Sequence, residues 1–132
     1  MKTEVQAAFN EMLDISKDID KAILFAPDEV LASNFPSEDE AVAVTQAQKL
    51  AVLGDTRAQE MGSQPLTQLV VETSAGFVFF AREVGAGDMA IMATGAKGSR
   101  VGLVLYDLKT CLRDAREALT AAGSEGQERE EF

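Results

Sequence analysis

The run Phe77-Val78-Phe79-Phe80-Ala81 is apolar at every position, and this constrains the fold more than any other feature of the sequence. Successive side chains of a strand point to opposite faces of a sheet, so a strand of this kind must be covered on both sides. The run belongs to a predicted strand Gly76–Val84. We therefore expect a sheet that carries helices on both of its faces.

Two further strands flank this central one in the sequence. Leu66–Thr73 precedes it across Ser74-Ala75, and Asp88–Thr94 follows it across Gly85-Ala86-Gly87. Connections of two and three residues are typical of hairpins, which predicts antiparallel pairing of all three strands.

The N-terminal part predicts a helix followed by another hairpin. Apolar residues recur at helical spacing over Thr3–Lys17. Ala22–Ala26 and Val30–Phe35 are then predicted strands, turned at Pro27-Asp28-Glu29 and stopped by Pro36.

A long helix is predicted over Ser37–Met61. Ser37 and Glu40 have the spacing of a capping box, and Gly62 is a C-terminal stop signal. A last helix is predicted over Ser99–Ala121, with Cys111 on its apolar face as an inert core thiol. The predicted order is α-β-β-α-β-β-β-α, an α+β fold with a five-stranded, mostly antiparallel sheet.

The chain has 132 residues, the size of one ordinary domain. We expect a single domain over residues 1–121. Residues 122–132 contain four glutamates and lack periodic apolar positions, so we expect a disordered acidic tail there.

Composition excludes several classes of function. The net charge of −10 makes nucleic acid and anionic lipid poor partners, and no apolar run approaches the length of a membrane span. The absence of histidine removes the common nucleophilic triads and most zinc sites. One cysteine fits a reducing, cytoplasmic compartment. We expect no cofactor, no metal and no enzymatic activity.

The stretch Thr94-Gly95-Ala96-Lys97-Gly98-Ser99-Arg100 superficially resembles a phosphate-binding loop. In such a loop the lysine follows the second glycine, whereas here Lys97 precedes Gly98. We interpret the stretch as a turn between a strand and a helix, with Ser99 as the helix N-cap.

Small residues form a stripe along the long helix, at spacings of three and four: Ala43, Ala47, Ala51, Gly54 and Ala58. A stripe of this kind allows close packing. The helix can pack closely on its own sheet or contact the same helix of a second copy, and the two arrangements can coexist at neighbouring angles.

The sequence resembles the Roadblock/dynein light chain family, in the bacterial form that regulates Ras-like GTPases. The resemblance covers about Val5–Leu119. It rests on a Leu-Gly step in the long helix (Leu53-Gly54), on the hairpin residues Val70-Val71-Glu72 and Gly76-Phe77-Val78, and on Gly102-Leu103-Val104 at the last helix. The family's first hairpin usually turns on Asp-Gly, which this chain lacks. The resemblance implies a profilin-like, Roadblock fold.

The resemblance also implies a non-catalytic homodimeric scaffold that binds a small Ras-like GTPase. Family members join their sheets through the strand after the long helix, with the two long helices side by side. Leu66–Thr73 has no proline, lysine or arginine to protect it as an edge, which agrees with such pairing. The expected interface residues are Ala47, Ala51, Gly54, Ala58, Thr67, Leu69 and Val71.

Other functions stay open at this point. An arginine supplied to a GTPase would be the enzymatic variant, and Arg57, Arg82, Arg100, Arg113 and Arg116 are equal candidates. A small-ligand sensor would need convergent polar groups in an apolar pocket. A structural subunit of a larger motor or signalling assembly is the third alternative.

Overall fold

The computed structural model describes residues 2–63, 65–84 and 88–130, with the backbone alone at residues 2 and 122–130. Within these residues there are three α-helices, α1 (Lys2–Ile15), α2 (Glu40–Glu60) and α3 (Val101–Glu130), and one short 3-10 helix, Ser37–Asp39. The strands are β1 (Ile19–Ala26), β2 (Glu29–Ser33), β3 (Gln68–Glu72), β4 (Gly76–Arg82) and β5 (Ala90–Ala96). The predicted α+β class and the order of elements are confirmed.

The five strands form one sheet in the order β2-β1-β5-β4-β3, and all four pairings are antiparallel. The central strand β5 therefore lies between the two hairpins. β2 and β3 form the two edges.

Helices cover both faces of this sheet, as the run in β4 predicts. Phe79 and Ala81 pack with α1 and α3 on one face, while Phe80 packs with α2 on the other. Both phenylalanines are almost fully buried. Burying one such side chain contributes about 1.5–3 kcal/mol to the stability of the fold. The single strand β4 therefore helps to hold both helix layers on the sheet.

The stripe of small residues on α2 serves the packing of this helix on its own sheet. Ala43, Ala47 and Ala51 are buried against Ile23 and Phe80. Because alanine projects only one methyl group, the helix axis can approach the strands closely.

Gly54 extends this close approach to the segment that follows α2. A Cβ atom at Gly54 would lie 2.6 Å from Cδ2 of Leu66, so the glycine leaves room for the leucine side chain. This contact accounts for a residue that costs about 1 kcal/mol inside a helix.

The C-terminal end of α2 is capped at Gly62, as predicted. Gly62 has φ +71°, the left-handed region that favours glycine. The Ser63 N–H donates to the Ala58 carbonyl at 2.8 Å and the Gly62 N–H to the Gln59 carbonyl at 2.9 Å, which is a Schellman motif.

The start of α2 differs from the prediction. Ser37 lies inside the 3-10 turn, where backbone bonds replace side-chain ones: the Asp39 N–H donates to the Pro36 carbonyl at 2.9 Å. Neither Pro36 nor Asp39 makes a side-chain capping bond. The predicted capping box between Ser37 and Glu40 was therefore wrong.

The start of α3 also differs. The Ser99 hydroxyl donates to the Ala96 carbonyl at 2.6 Å and does not act as the N-cap. Asp18 supplies the polar contact instead, because its Oδ2 accepts from the Arg100 N–H at 2.9 Å and from Arg100 Nε at 3.1 Å. These two bonds hold the pKa of Asp18 below its ordinary value, and the bond from the backbone N–H has the larger effect.

The first hairpin confirms that a glycine turn is absent. Pro27 and Asp28 join β1 to β2, and neither has a positive φ. The register of the two strands shifts between Leu24 and Phe25, which places a bulge two residues before the turn.

Two further expectations concern the ends of elements. α1 ends at Ile15, and α3 continues to Glu130, beyond the predicted end at Ala121. The division into a domain over 1–121 and a tail over 122–132 stays a prediction. The connection Gly85-Ala86-Gly87 and residues 131–132 lie outside the described residues.

The α2 packing gives a first prediction. Ala47→Met places extra atoms between α2 and the sheet at a fully buried position, and overpacking of this kind costs about 1–3 kcal/mol. Urea unfolding measures the loss. Thr45→Met is the matched control, since Thr45 is exposed on the same helix and a change there stays within about 0.5 kcal/mol. Equal effects of the two substitutions would contradict the observed orientation of α2.

Candidate interaction surfaces

The edge strand β3 presents unpaired backbone groups. It pairs with β4 in the register Leu69 to Phe80, and the described residues place no strand on its other side. The Arg82 N–H donates to the Thr67 carbonyl at 3.0 Å and the Thr73 N–H to the Gly76 carbonyl at 2.7 Å. Since bonding direction alternates along an antiparallel strand, the backbone groups of the even-numbered residues Gln68, Val70 and Glu72 point outward.

The other edge, β2, is less suited to pairing. Its register with β1 is interrupted by the bulge, whereas β3 pairs with β4 in one unbroken register. A bulge in an edge strand discourages sheet extension. β3 is therefore the better candidate for an intermolecular strand pair.

An apolar groove lies beside β3 on the α2 face of the sheet. It has a volume of about 420 Å³ and is formed between α2 and the strands, with these residues around it: Phe35, Gln46, Lys49, Leu50, Val71, Val78, Met92 and Thr94. The helix thus leaves part of the sheet face next to β3 uncovered.

The side of α2 that borders this groove is exposed and partly apolar. Val42, Gln46, Lys49 and Leu53 follow each other at spacings of four, three and four, so they lie on one face of the helix; we call them the α2 outer stripe. Leu53 is 69% exposed and Val42 58%. The neighbouring Val52, 64% exposed, extends the apolar surface.

The structure separates the predicted interface residues into two groups. Thr67, Leu69 and Val71 lie on or just before the β3 edge, with Leu69 and Val71 half-buried. Ala47 and Ala51 are buried inside the subunit, while Gly54 and Ala58 are half-buried. The α2 outer stripe was missed by the sequence reasoning. Its signal is present, since Val42 and Leu53 are large apolar residues outside the stripe of small ones.

A charged clamp fixes the segment between α2 and β3. The Leu66 N–H donates to Asp55 Oδ1 at 2.8 Å, and Arg82 Nε donates to the Leu66 carbonyl at 2.6 Å. Arg82 Nη2 donates to the same Asp55 oxygen. Asp55, Arg82 and Leu66 therefore determine where β3 begins.

Burial alone would raise the pKa of Asp55. The hydrogen bonds from Leu66 and Arg82, together with the charge of Arg82, outweigh that effect and lower the pKa below its ordinary value of 3.8. The carboxylate form is the one that holds the clamp.

All five candidate arginines lie against carboxylates of their own chain. The distances are 3.0 Å for Arg57–Glu60, 3.1 Å for Arg100–Asp18, 3.5 Å for Arg113–Asp114 and 3.0 Å for Arg116–Glu83, and Arg82 pairs with Asp55. The structure does not single out one arginine as an isolated, exposed cation.

A second cavity, of about 350 Å³, lies near the clamp and tests the ligand-sensor alternative. Its apolar wall includes Phe25 and Phe80, and its polar groups include Asp55 and Arg82. These charged groups already bind each other and Leu66. The cavity therefore does not favour a small ligand over a protein partner.

The thiol and the acidic side chains that the structure describes bear on reactivity and metal binding. Burial, and then the negative charge of Asp114, raises the pKa of the Cys111 thiol to about 12, so Cys111 is the predicted inert core thiol. Among the side chains that the structure describes, no three acidic, cysteine or histidine residues converge on a metal position. Within the same residues, no helix is long and apolar enough to cross a membrane.

A five-stranded antiparallel sheet between an α1/α3 layer and α2 is the fold of Roadblock/LC7 domains, and the predicted resemblance is confirmed at the level of fold. A Roadblock/LC7 domain from Streptomyces avermitilis superposes with a TM-score of 0.76 at 16% identity, covering 87% of this chain and 97% of that one. MglB from Myxococcus xanthus superposes with a TM-score of 0.75 at 11% identity, covering 91% of this chain and 90% of that one.

The profilin-like character is also confirmed. LokiProfilin2, in its complex with rabbit actin, superposes with a TM-score of 0.56 at 14% identity, covering 89% of this chain and 98% of that one. No protein-family profile matches the sequence, and no curated protein matches it.

The clamp gives a prediction about acid sensitivity. Because the pKa of Asp55 is lowered in the folded state, its carboxylate stabilises the fold above the ordinary value of 3.8, and the contribution is lost as pH falls through the lowered value. Asp55→Asn should therefore reduce stability at pH 7 and flatten the decline in stability as pH falls below about 5.

Urea unfolding across this pH range measures the effect. Asp39→Asn is the matched control, because Asp39 makes no side-chain capping bond and lies away from the clamp. An unchanged pH profile in Asp55→Asn would show that the clamp does not contribute to stability.

Proposed function

We propose that this protein is a non-catalytic homodimeric scaffold that binds and regulates a small Ras-like GTPase in the cytoplasm. The observation that carries the proposal is the unprotected edge of β3, which lies beside an apolar groove and the exposed α2 outer stripe in a Roadblock fold. Regulation of a Ras-like GTPase is what the sequence resemblance implies. The superposition on MglB and on a Roadblock/LC7 domain supports the fold on which that function depends.

Pairing of β3 with β3 of a second copy would satisfy the outward backbone groups of Gln68, Val70 and Glu72. A ten-stranded sheet built in this way brings the two α2 helices together on one face. The outer stripe then meets its counterpart, which covers Val42, Leu53 and the groove around Val71. A two-fold interface needs such a self-complementary patch.

The joined α2 layer would offer a broad surface to the GTPase. Val52 remains outside the stripe and is strongly exposed, so it is the apolar residue that we assign to contact with the GTPase. In this proposal the protein holds the residues of the GTPase in place and supplies no catalytic group.

The dimer interface is tested by two substitutions on β3. Val71→Lys places a charge beside the groove, and Gln68→Pro removes an outward N–H at an exposed position without removing a bond to β4. We expect each variant to weaken dimerisation at least tenfold, as measured by sedimentation equilibrium. An unpaired charge in an interface is strongly unfavourable.

Glu29→Lys on the opposite edge is the control and should leave the dimer unchanged. A wild-type protein that stays monomeric at micromolar concentration would overturn the dimer. A dimer that survives both β3 substitutions would show that β3 is not the strand that pairs.

Binding to the GTPase is tested separately. Ras-like GTPases encoded in the same genome, loaded with GDP or with a non-hydrolysable GTP analogue, are titrated by calorimetry. We expect Val52→Glu to weaken binding at least tenfold while leaving the dimer intact, because it adds a charge to an apolar contact. Gln59→Glu, an exposed change near the end of the same helix, is the control. Absence of binding to any GTPase in either nucleotide state would overturn the proposed function and leave the dimer standing.

A further inference from the structure

A second surface lies on the opposite side of the molecule, between α1 and α3. These two helices form one layer, and a groove of about 180 Å³ runs along its outer side. Ile15 from α1 and Tyr106 from α3 line this groove and are 61% and 66% exposed. The surface is independent of the proposed dimer, since α2 and this layer cover opposite faces of the sheet.

The groove contains a buried carboxylate, one oxygen of which has no partner. Asp107 lines it and is 8% exposed, and its Oδ2 has no hydrogen-bond partner among the described residues. Burying an ionised carboxylate is costly unless the charge is paired and hydrogen-bonded. Among the described side chains, Asp107 is the only buried acidic one, and no ion pair reaches it; the other unbonded oxygen, on Glu83, lies 3.0 Å from Arg116.

The residues around Asp107 make the groove acidic as well as apolar. Glu11 and Asp114 line it together with Asp107. Within the described side chains, the ion pair at this groove joins Arg113 to Asp114 at 3.5 Å, and none reaches Asp107. The groove therefore combines apolar side chains at its rim with uncompensated negative charge.

A metal ion does not fit these carboxylates, because the described acidic side chains do not converge on a metal position. The chain itself does not provide a suitable cationic segment. Residues 122–132 carry four glutamates and one arginine, and the acidic lining of the groove would repel the same lining of a second copy. Charge complementarity points to a different, cationic protein.

We propose that the groove between α1 and α3 binds an amphipathic helix of a partner protein, with a lysine or arginine of that helix paired to Asp107. Apolar residues one turn away from the cation would pack on Ile15 and Tyr106. A third helix placed along two packed helices is an established mode of peptide recognition. The cation would supply the charge and the hydrogen bond that Asp107 lacks in the free subunit.

The test uses a displayed library of 18-residue helical peptides with one randomised face, selected on the full-length protein. We expect the enriched peptides to carry a lysine or arginine flanked by apolar residues at a spacing of three or four. The best peptide is then titrated by fluorescence anisotropy. Asp107→Asn should weaken its binding at least tenfold, and Tyr106→Ser should weaken it as well.

A double-mutant cycle isolates the ion pair. Replacing the peptide cation with glutamine should cost as much as Asp107→Asn, and combining the two changes should add little further loss. Asp28→Asn and Val52→Ser are matched controls on other surfaces and should leave peptide affinity unchanged. The folded state of Asp107→Asn is checked by thermal melting, where we expect equal or higher stability because a neutral amide costs less to bury.

Three results would overturn the proposal. The first is that no peptide is enriched, or that the enriched peptides lack a cation. The second is that the glutamine peptide binds the wild-type protein as tightly as the original, a result that does not depend on the folding of any variant. The third is that Tyr106→Ser lowers the oligomeric state of the protein, which would assign the groove to a second copy of this chain.

Discussion

The burial of β4 on both faces is the constraint on which the rest of the structure depends. Phe79 and Phe80 are neighbours in sequence but lie in different hydrophobic cores, one under α1 and α3 and the other under α2. Neither core could form without its helix layer, because a strand exposes every second side chain on each face. The sheet is therefore the middle of three layers, and β4 connects the two cores.

The two helix layers leave different surfaces free. On one face the alanines of α2 allow close packing, so the helix covers a narrow band and leaves β3 with an apolar groove beside it. On the other face larger residues such as Leu108 and Leu112 hold α1 and α3 together. Their outer groove contains Asp107, so the two surfaces differ in chemistry: one is mainly apolar, and the other is apolar with a buried negative charge.

Much of the fold could be predicted from local patterns. The order of eight elements, the coverage of both sheet faces, the burial of Cys111 and the stop at Gly62 all follow from periodicity and turn residues over a few positions. Part of the candidate site could also be predicted, since a strand without proline, lysine or arginine indicates an unprotected edge. Val71 and Leu69 belong to that part.

What the sequence by itself determined is thus the set of elements and the residues that each must bury, because hydrophobic periodicity is a local property. Only the tertiary structure decided which polar partners meet. Asp18 binds Arg100 across 82 residues and Asp55 binds Arg82 across 27, and no local pattern specifies such pairs. The same holds for the strand order that leaves β3 at an edge, for the inward direction of the alanine stripe and for the isolation of Asp107. Each depends on how complete elements pack, and packing is settled by contacts among distant residues.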